Sequence, residues 1–313
     1  MIDLERLWTV QRDQVSRYEK RAVTSAYALY RETLRDVQRA YIAAVVRALA
    51  RGADVHALAA DRLYQRAEAA LREGYRVYAR RCGDKLEPIA REAVGDAVGT
   101  AAVVAQFRGD DRAAIVARLL PRVVPEIRAA LQAFANGAWD DVARALALAA
   151  AAGANPRVTT KILTVTFGRD GVQAMTIART ETLRAYREAT RVTYREAGVE
   201  EWEWRSSRSR RTCAFCLAMD GKRFPVDEPL RSHPNCRCTM VPVVEGYRPP
   251  HGYQTAEAWL REQPAEIQDE ILGPGRAKLF RDGMSLDGFI EPARPQTALD
   301  PTHRLVPLAR LNK

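Results

Sequence analysis

The sequence predicts a mainly α-helical chain with long N-terminal helices and a small α+β domain towards its C-terminal end. Three observations carry that prediction. Apolar residues recur at helical spacing through the first half, with almost no β-branched alternation. The period switches to two at Glu200–Ser207, where Trp202 and Trp204 share one face and Glu201, Glu203 and Arg205 the other. Four of the five cysteines and one of the four histidines then fall within residues 213–238.

Residues 2–51 form one helix by this reading, with Leu4, Trp8, Val15, Tyr18, Tyr30, Leu34, Val37, Tyr41, Val45 and Leu49 on one face and Gly52 as its stop. Its length suits either the first helix of a bundle or an arm that packs on another protein. Asp54 caps a second helix running to about Arg81. A third spans Lys85 to about Gln106, with Pro88 in its first turn. Asp110 and Asp111 open a fourth, bent or split at Pro121 and Pro125. A fifth runs from Trp139 to Ala152 and closes at Gly153. A short helix and turn over 157–169 precede a helix over 171–197 capped by Gly198. The Asp220-Gly221 pair predicts a hairpin over Leu217–Phe224, and Cys238–Val244 a further strand. Two short helices follow, near 255–272 and 274–282. The resulting partition is an all-α region over 1–155, an α+β domain over 156–250, short helices packing on it over 251–290, and an extended tail over 291–313 that a partner would order.

With 313 residues the chain is long enough for two domains, and 47% apolar residues allow buried cores. The balance of 49 basic to 39 acidic residues, net +10, suits an acidic partner such as DNA without identifying one. The charged start Met1-Ile-Asp-Leu-Glu-Arg is unlike a signal peptide. The most apolar stretch, Val142–Ala152, contains Arg144 and is too short to span a bilayer, so no membrane role is expected.

Cys213-x2-Cys216 and His233-x2-Cys236 have the paired spacing of zinc knuckles, joined by a hairpin-sized spacer. The favoured ligand set is Cys213, Cys216, His233 and Cys236, with Cys238 as the alternate for His233. Cys236 and Cys238 would share a face of an extended strand, and both could reach one ion only if the chain bends there. The competing readings are a disulfide framework and cysteines buried as small apolar residues. With zinc bound, the module is a zinc-stapled α+β domain in which the metal compensates for a small core. A structural Zn2+ is expected. The nearby carboxylates Glu203 and Asp220 form no recognisable acid–base arrangement, and the spacing is unlike that of zinc deaminases. Arg205, Arg208, Arg210, Arg211, Lys222, Arg223, Arg231 and Arg237 crowd this region; they suit phosphate contacts or pairing with Glu200, Glu201 and Glu203.

Together, Ala178-Arg-Thr-Glu-Thr182, Trp202-x-Trp204, Arg211-Thr-Cys-x-x-Cys216, Leu217-Ala-Met-Asp-Gly-Lys-x-Phe224, His233-Pro-Asn-Cys-Arg-Cys238 and Val241-Pro-Val243 resemble the Mu F-like head morphogenesis domain over roughly residues 165–245. That domain occurs in minor head proteins of tailed bacteriophages and related prophages. Leu272–Gly283 resembles the segment that often follows it, while residues 1–155 match only in helical character. The resemblance implies a structural part of the virion, not an enzyme. It further implies low copy number, several copies in one assembly, and a place inside the head near the portal after assembly in the host cytoplasm. The implied partners are the portal protein or the major capsid protein, with packaged DNA as a further contact and a role in its packaging or ejection. Many members lack the full cysteine set, whereas here all the candidate ligands are present. The family carries the Arg179-Thr-Glu181 element, for which a structural role follows: Glu181 pairing with an arginine of the strand and linking helix to sheet. The alternative functions are a DNA-binding zinc protein and a phage-borne toxin or nuclease-type enzyme. Against the latter, His251 and His303 are isolated and no nucleophile–base pair is visible.

Overall fold

In a computed structural model the described residues are 3–52, 57–103, 109–151, 155–244, 254–294 and 301–311. The chain is mainly helical, and four long helices dominate it: α1 (Leu4–Ala50), α2 (Arg62–Ala101), α3 (Gly109–Ala151) and α4 (Pro156–Glu196). The predicted first helix is α1, with Leu34, Tyr41 and Val45 fully buried on the expected face. The cap at Asp54, the helix end at Gln106, the stop at Gly153 and His251 lie outside the described residues. The cap of α2 is Asp61, whose carboxylate accepts from the amides of Leu63 and Tyr64 at 2.8 and 3.1 Å.

Four predicted breaks are absent, among them the start of a separate fifth helix at Trp139, which lies inside α3 because Phe134, Ala138 and Val142 continue its buried stripe. The second and third predicted helices are one, because Cys82, Leu86 and Ala90 continue the buried stripe through Gly83 and Asp84. Gly83 serves a close approach: a Cβ there would lie 3.0 Å from the Arg128 guanidinium, which pairs with Asp84 and Glu87. Pro88 therefore sits inside α2. Pro121 and Pro125 likewise lie inside an unbroken α3, on its exposed side, where water can satisfy the carbonyls they leave free. Ile115, Leu119, Val123, Ile127 and Leu131 hold its opposite face in the core. The two helices expected over 157–197 are both part of α4, which ends as predicted before Gly198.

The chain divides into two compact units, one of Met1–Arg17, Ala93–Leu119 and Leu183–Lys313, the other of Tyr18–Glu92 and Leu120–Thr182. Each long helix contributes to both. The second unit is helical and has an aromatic core. Tyr41 meets Trp139 and Phe167 edge-on at 6.2 and 6.4 Å; Tyr30 meets Tyr78 at 5.5 Å; Tyr75 meets Phe134 at 6.1 Å. Several of its buried polar tips are satisfied. Tyr30 donates to the Phe167 carbonyl at 2.8 Å, Gln38 donates to the Tyr30 hydroxyl at 2.9 Å, and Tyr75 donates to the Asp170 carboxylate. Burial pushes the Asp170 carboxyl up to about 6.

The first unit carries the sheet. β1 (Glu201–Arg205) lies between β2 (Arg223–Pro225) and β3 (Thr239–Pro242), antiparallel to both, with Trp202 opposite Phe224 and Pro242 and Trp204 opposite Met240. Residues Leu217–Met219 are not a hairpin strand. They belong to a short helix, α5 (Ala214–Met219), whose residues are all buried. The Asp220-Gly221 turn is present, with Gly221 at φ +84, but it leads from α5 into β2, which pairs with β1. The helix expected over 255–272 is two, α6 (Ala256–Arg261) and α7 (Ala265–Leu272), because Pro264 stands before the first residue of α7. α8 (Pro274–Arg281) is as predicted. The segment expected to be an extended tail is partly structured: β5 (His303–Leu305) pairs with β4 (Ile290–Pro292), and α9 (Leu308–Leu311) follows. Pairing along three residues of backbone leaves no periodic side-chain signal to read. Among the described residues no helix is long and apolar enough to cross a membrane.

Candidate metal centre

α5 positions the first knuckle. Cys213 immediately precedes the helix and Cys216 lies within it, and the Leu217 amide donates to the Cys213 carbonyl at 3.1 Å. One helical turn therefore brings both sulfurs to the same end. The second knuckle is a tight turn at His233-Pro-Asn-Cys236, where Asn235 adopts φ +67 and the Cys236 amide donates to the His233 carbonyl at 3.3 Å. Asn is among the few side chains that tolerate this conformation. The Cys238 amide donates to the Cys236 sulfur at 3.4 Å.

The donor atoms converge. His233 Nε2 lies 3.2 Å from Cys213 Sγ and 3.0 Å from Cys216 Sγ, and Cys216 Sγ lies 3.7 Å from Cys236 Sγ. A tetrahedral zinc with bonds of about 2.3 Å to sulfur and 2.0–2.1 Å to nitrogen has ligand-to-ligand edges of roughly 3.5–3.8 Å. The Cys216–Cys236 separation lies in that range and the two His233 separations are somewhat shorter, so the cluster could hold a metal ion. His233 Nδ1 donates to the Pro234 carbonyl at 2.7 Å, which leaves Nε2 as the free ligand atom. The five donors form two triads, Cys213–Cys216–His233 and Cys216–Cys236–Cys238, each with its atoms within 4.8 Å of one another and with Cys216 in both. The Cys236 and Cys238 sulfurs thus lie closer than an extended strand allows.

The electrostatics prepare the site for a cation. Hydrogen bonding from Cys216, helped by His233, holds the Cys213 thiol down to about 5, so it is a thiolate at neutral pH. His233 is raised to about 9 by its bond to Cys213, so a metal would displace a proton from the ring. Cys82 is elsewhere, buried in the helical unit, where burial pushes its thiol up to about 11.

Surrounding side chains hold this arrangement. Arg187 of α4, a residue the motif reasoning missed, donates to the carbonyls of Cys238 at 2.9 Å and Cys236 at 2.6 Å. Arg191, one turn on, donates to the carbonyls of Val226 and Asp227 at 3.2 and 3.3 Å. The available signal for Arg187 was its place four residues after Leu183 on a face that is otherwise apolar. Trp202, Trp204, Phe215, Cys216, Cys236 and Cys238 form one buried cluster, in which Trp202 stacks on Phe224 at 4.7 Å. The Asp220 side chain is 2% exposed and accepts from the Ser206 and Ala256 amides and from Arg208 at 2.6, 3.2 and 3.0 Å. It is a structural tie, not a spare acid.

The basic residues around the site are largely paired. Arg205 meets Glu203 and Glu5 at 3.1 and 3.7 Å; Arg210 meets Glu270 and Lys222 meets Asp287 at 2.7 and 2.8 Å; Arg223 meets Glu203 at 3.6 Å. Glu203 is the one predicted carboxylate partner among these acids. Arg179 pairs with Glu19 of α1 at 3.0 Å, a partner the sequence did not suggest, and Glu181 is 8% exposed.

The fold and site define a helical protein carrying a Cys/His knuckle clamped by an arginine of its last long helix. Residues 140–241 match the family described as Phage Mu protein F like protein, a span covering the end of α3, all of α4, the knuckles and most of the sheet. The match bears out the resemblance read from the motifs. No curated protein and no solved structure matches the chain.

Proposed function

We propose that the chain is a structural minor head protein of a tailed bacteriophage or prophage, in which one structural Zn2+ staples the Mu F-like module. The observation that carries this reading is that the matched segment holds both knuckles and the Arg187 clamp. The donor set, three thiols and one imidazole, is that of closed structural zinc sites. Cys213, Cys216, His233 and Cys236 are the assigned ligands, with Cys238 the alternate. Glu203 and Asp220 are engaged in ion pairs and hydrogen bonds, which leaves neither as a ready general base. On this reading the module serves assembly and not catalysis.

The assigned place is inside the head at the portal vertex, in contact with the portal protein or the major capsid protein and present in several copies. DNA is a lesser contact, since five of the eight basic residues around the knuckles already face carboxylates. The test is co-expression with the portal protein of the same phage, followed by electron microscopy of particles with and without this chain. Co-migration with the portal ring and lost density at the vertex are expected. Nuclease activity of the purified chain, or particles unchanged by its removal, would overturn the reading.

A further inference from the structure

The helical unit carries an apolar groove far from the knuckles in sequence. Its volume is about 1040 Å³, and Tyr27, Tyr30, Ile42, Phe167, Val172 and Met175 supply its apolar walls. Tyr27 is 46% exposed and Val172 59%. Val158, Val165 and Val172 follow one another at intervals of seven along α4, and all three are exposed. Seven-residue spacing is the repeat of a helix face that meets another helix. Of the three, Val172 lines the groove.

The lip of the groove on α1 is cationic. Arg31, Arg35 and Arg39 stand four residues apart and all are exposed. Among the described residues, none of the three has a carboxylate partner. Elsewhere on the same helix, Arg17 and Arg21 are paired with Asp96 and Glu92. Arg31, Arg35 and Arg39 thus present a row without carboxylate partners along the edge of the groove. From Tyr27 to Ile42 the lip is about 22 Å long at 1.5 Å per residue, roughly four helical turns. Gly168 opens its floor: a Cβ there would meet nothing within 4 Å.

We infer that this groove docks an amphipathic helix of a second protein, one whose apolar stripe is flanked by carboxylates at four-residue spacing. The apolar walls favour a helix over nucleic acid, which would satisfy the arginines and leave Ile42, Val172 and Met175 in water. This surface lies outside the metal module, so its test does not depend on zinc.

The probe is a synthetic, fluorescein-labelled helical peptide of about 16 residues with a leucine stripe and glutamates along one flank. It is titrated into the full chain and followed by anisotropy, beside the same peptide with lysines for glutamates and a short DNA duplex. Saturable binding of the glutamate peptide is expected, weakened about tenfold or more by the double change Arg35→Glu with Arg39→Glu. Gly168→Trp is expected to weaken it similarly with unchanged helical content. Should that replacement disturb the fold, Val172→Glu asks the same of an exposed position. Absence of saturable binding, equal binding of the lysine peptide, or full binding by both groove variants would overturn the inference. Duplex binding that the double arginine change abolishes, with the glutamate peptide inactive, would assign the row to phosphates and overturn it too.

Discussion

Around Tyr41, in the helical unit, long helical segments bury aromatic rings against one another, and the stripe that specifies them repeats over many turns. Around Cys216, in the first unit, the elements are strands of three to five residues and a helix of six, too short to bury much apolar surface by repetition. The difference shows two ways to fix a chain path. Repetition of weak apolar contacts suffices where a helix runs for forty-odd residues. Where elements are short, a few strong directional contacts are needed: the sulfur and imidazole donors, the Arg187 fork and the Asp220 carboxylate.

Breaking the metal centre should separate the two regions most widely. Apparent binding energies of structural zinc sites, about 10–16 kcal/mol, match or exceed the net stability of most domains. Cys216→Ser removes the donor common to both triads. It should abolish metal content by elemental analysis and collapse the near-ultraviolet dichroism of Trp202 and Trp204, with most far-ultraviolet helical signal retained. A variant that keeps both metal and tryptophan signal would remove the distinction. The reciprocal change is Tyr41→Ala, which empties a fully buried aromatic position. It should cost about 3–5 kcal/mol in the helical unit and leave metal stoichiometry at one. Chemical unfolding and elemental analysis on the same sample check both halves.

Arg187→Ala is next in size. It strands the carbonyls of Cys236 and Cys238, and it should cost about 2–3 kcal/mol and weaken metal binding about tenfold. Arg187→Lys should not restore the affinity, since an ammonium cannot reproduce the two-pronged donation. Competition with a chromophoric chelator measures this.

The smallest effect belongs to the helical unit. The Asp170 carboxyl titrates near 6 in the fold against 3.8 in the open chain, so its protonated form favours folding. That contribution is complete below the lower value and is lost as pH rises through the upper one. Asp170→Asn keeps an oxygen acceptor for Tyr75 and removes the buried charge. It should stabilise the protein at pH 7 by about 2 kcal/mol and flatten the decline between about pH 4 and 7. Urea midpoints across that range are the readout.

The same contrast explains what the sequence disclosed. α1 was legible because its stripe repeats, β1 because two tryptophans alternate with charges, and the knuckles because spacing alone encodes them. The continuity of α2 through Gly83 was not, because the glycine signals a break locally and serves the Arg128 approach instead. The prolines of α3 misled for the same reason: their cost is local, and the burial that offsets it belongs to the other face. Arg187 was hidden because its partners lie 49 and 51 residues away. β5 was hidden because its partner strand determines it, not its own pattern.

Amide hydrogen exchange read by mass spectrometry, with and without a zinc chelator, tests the separation of the two regions most directly. Chelation should strip protection from residues 201–242 and leave the amides around Tyr41, Tyr75 and Phe167 as slow as before. Protection unchanged in both regions, or lost from both together, would contradict a metal staple acting on the module alone.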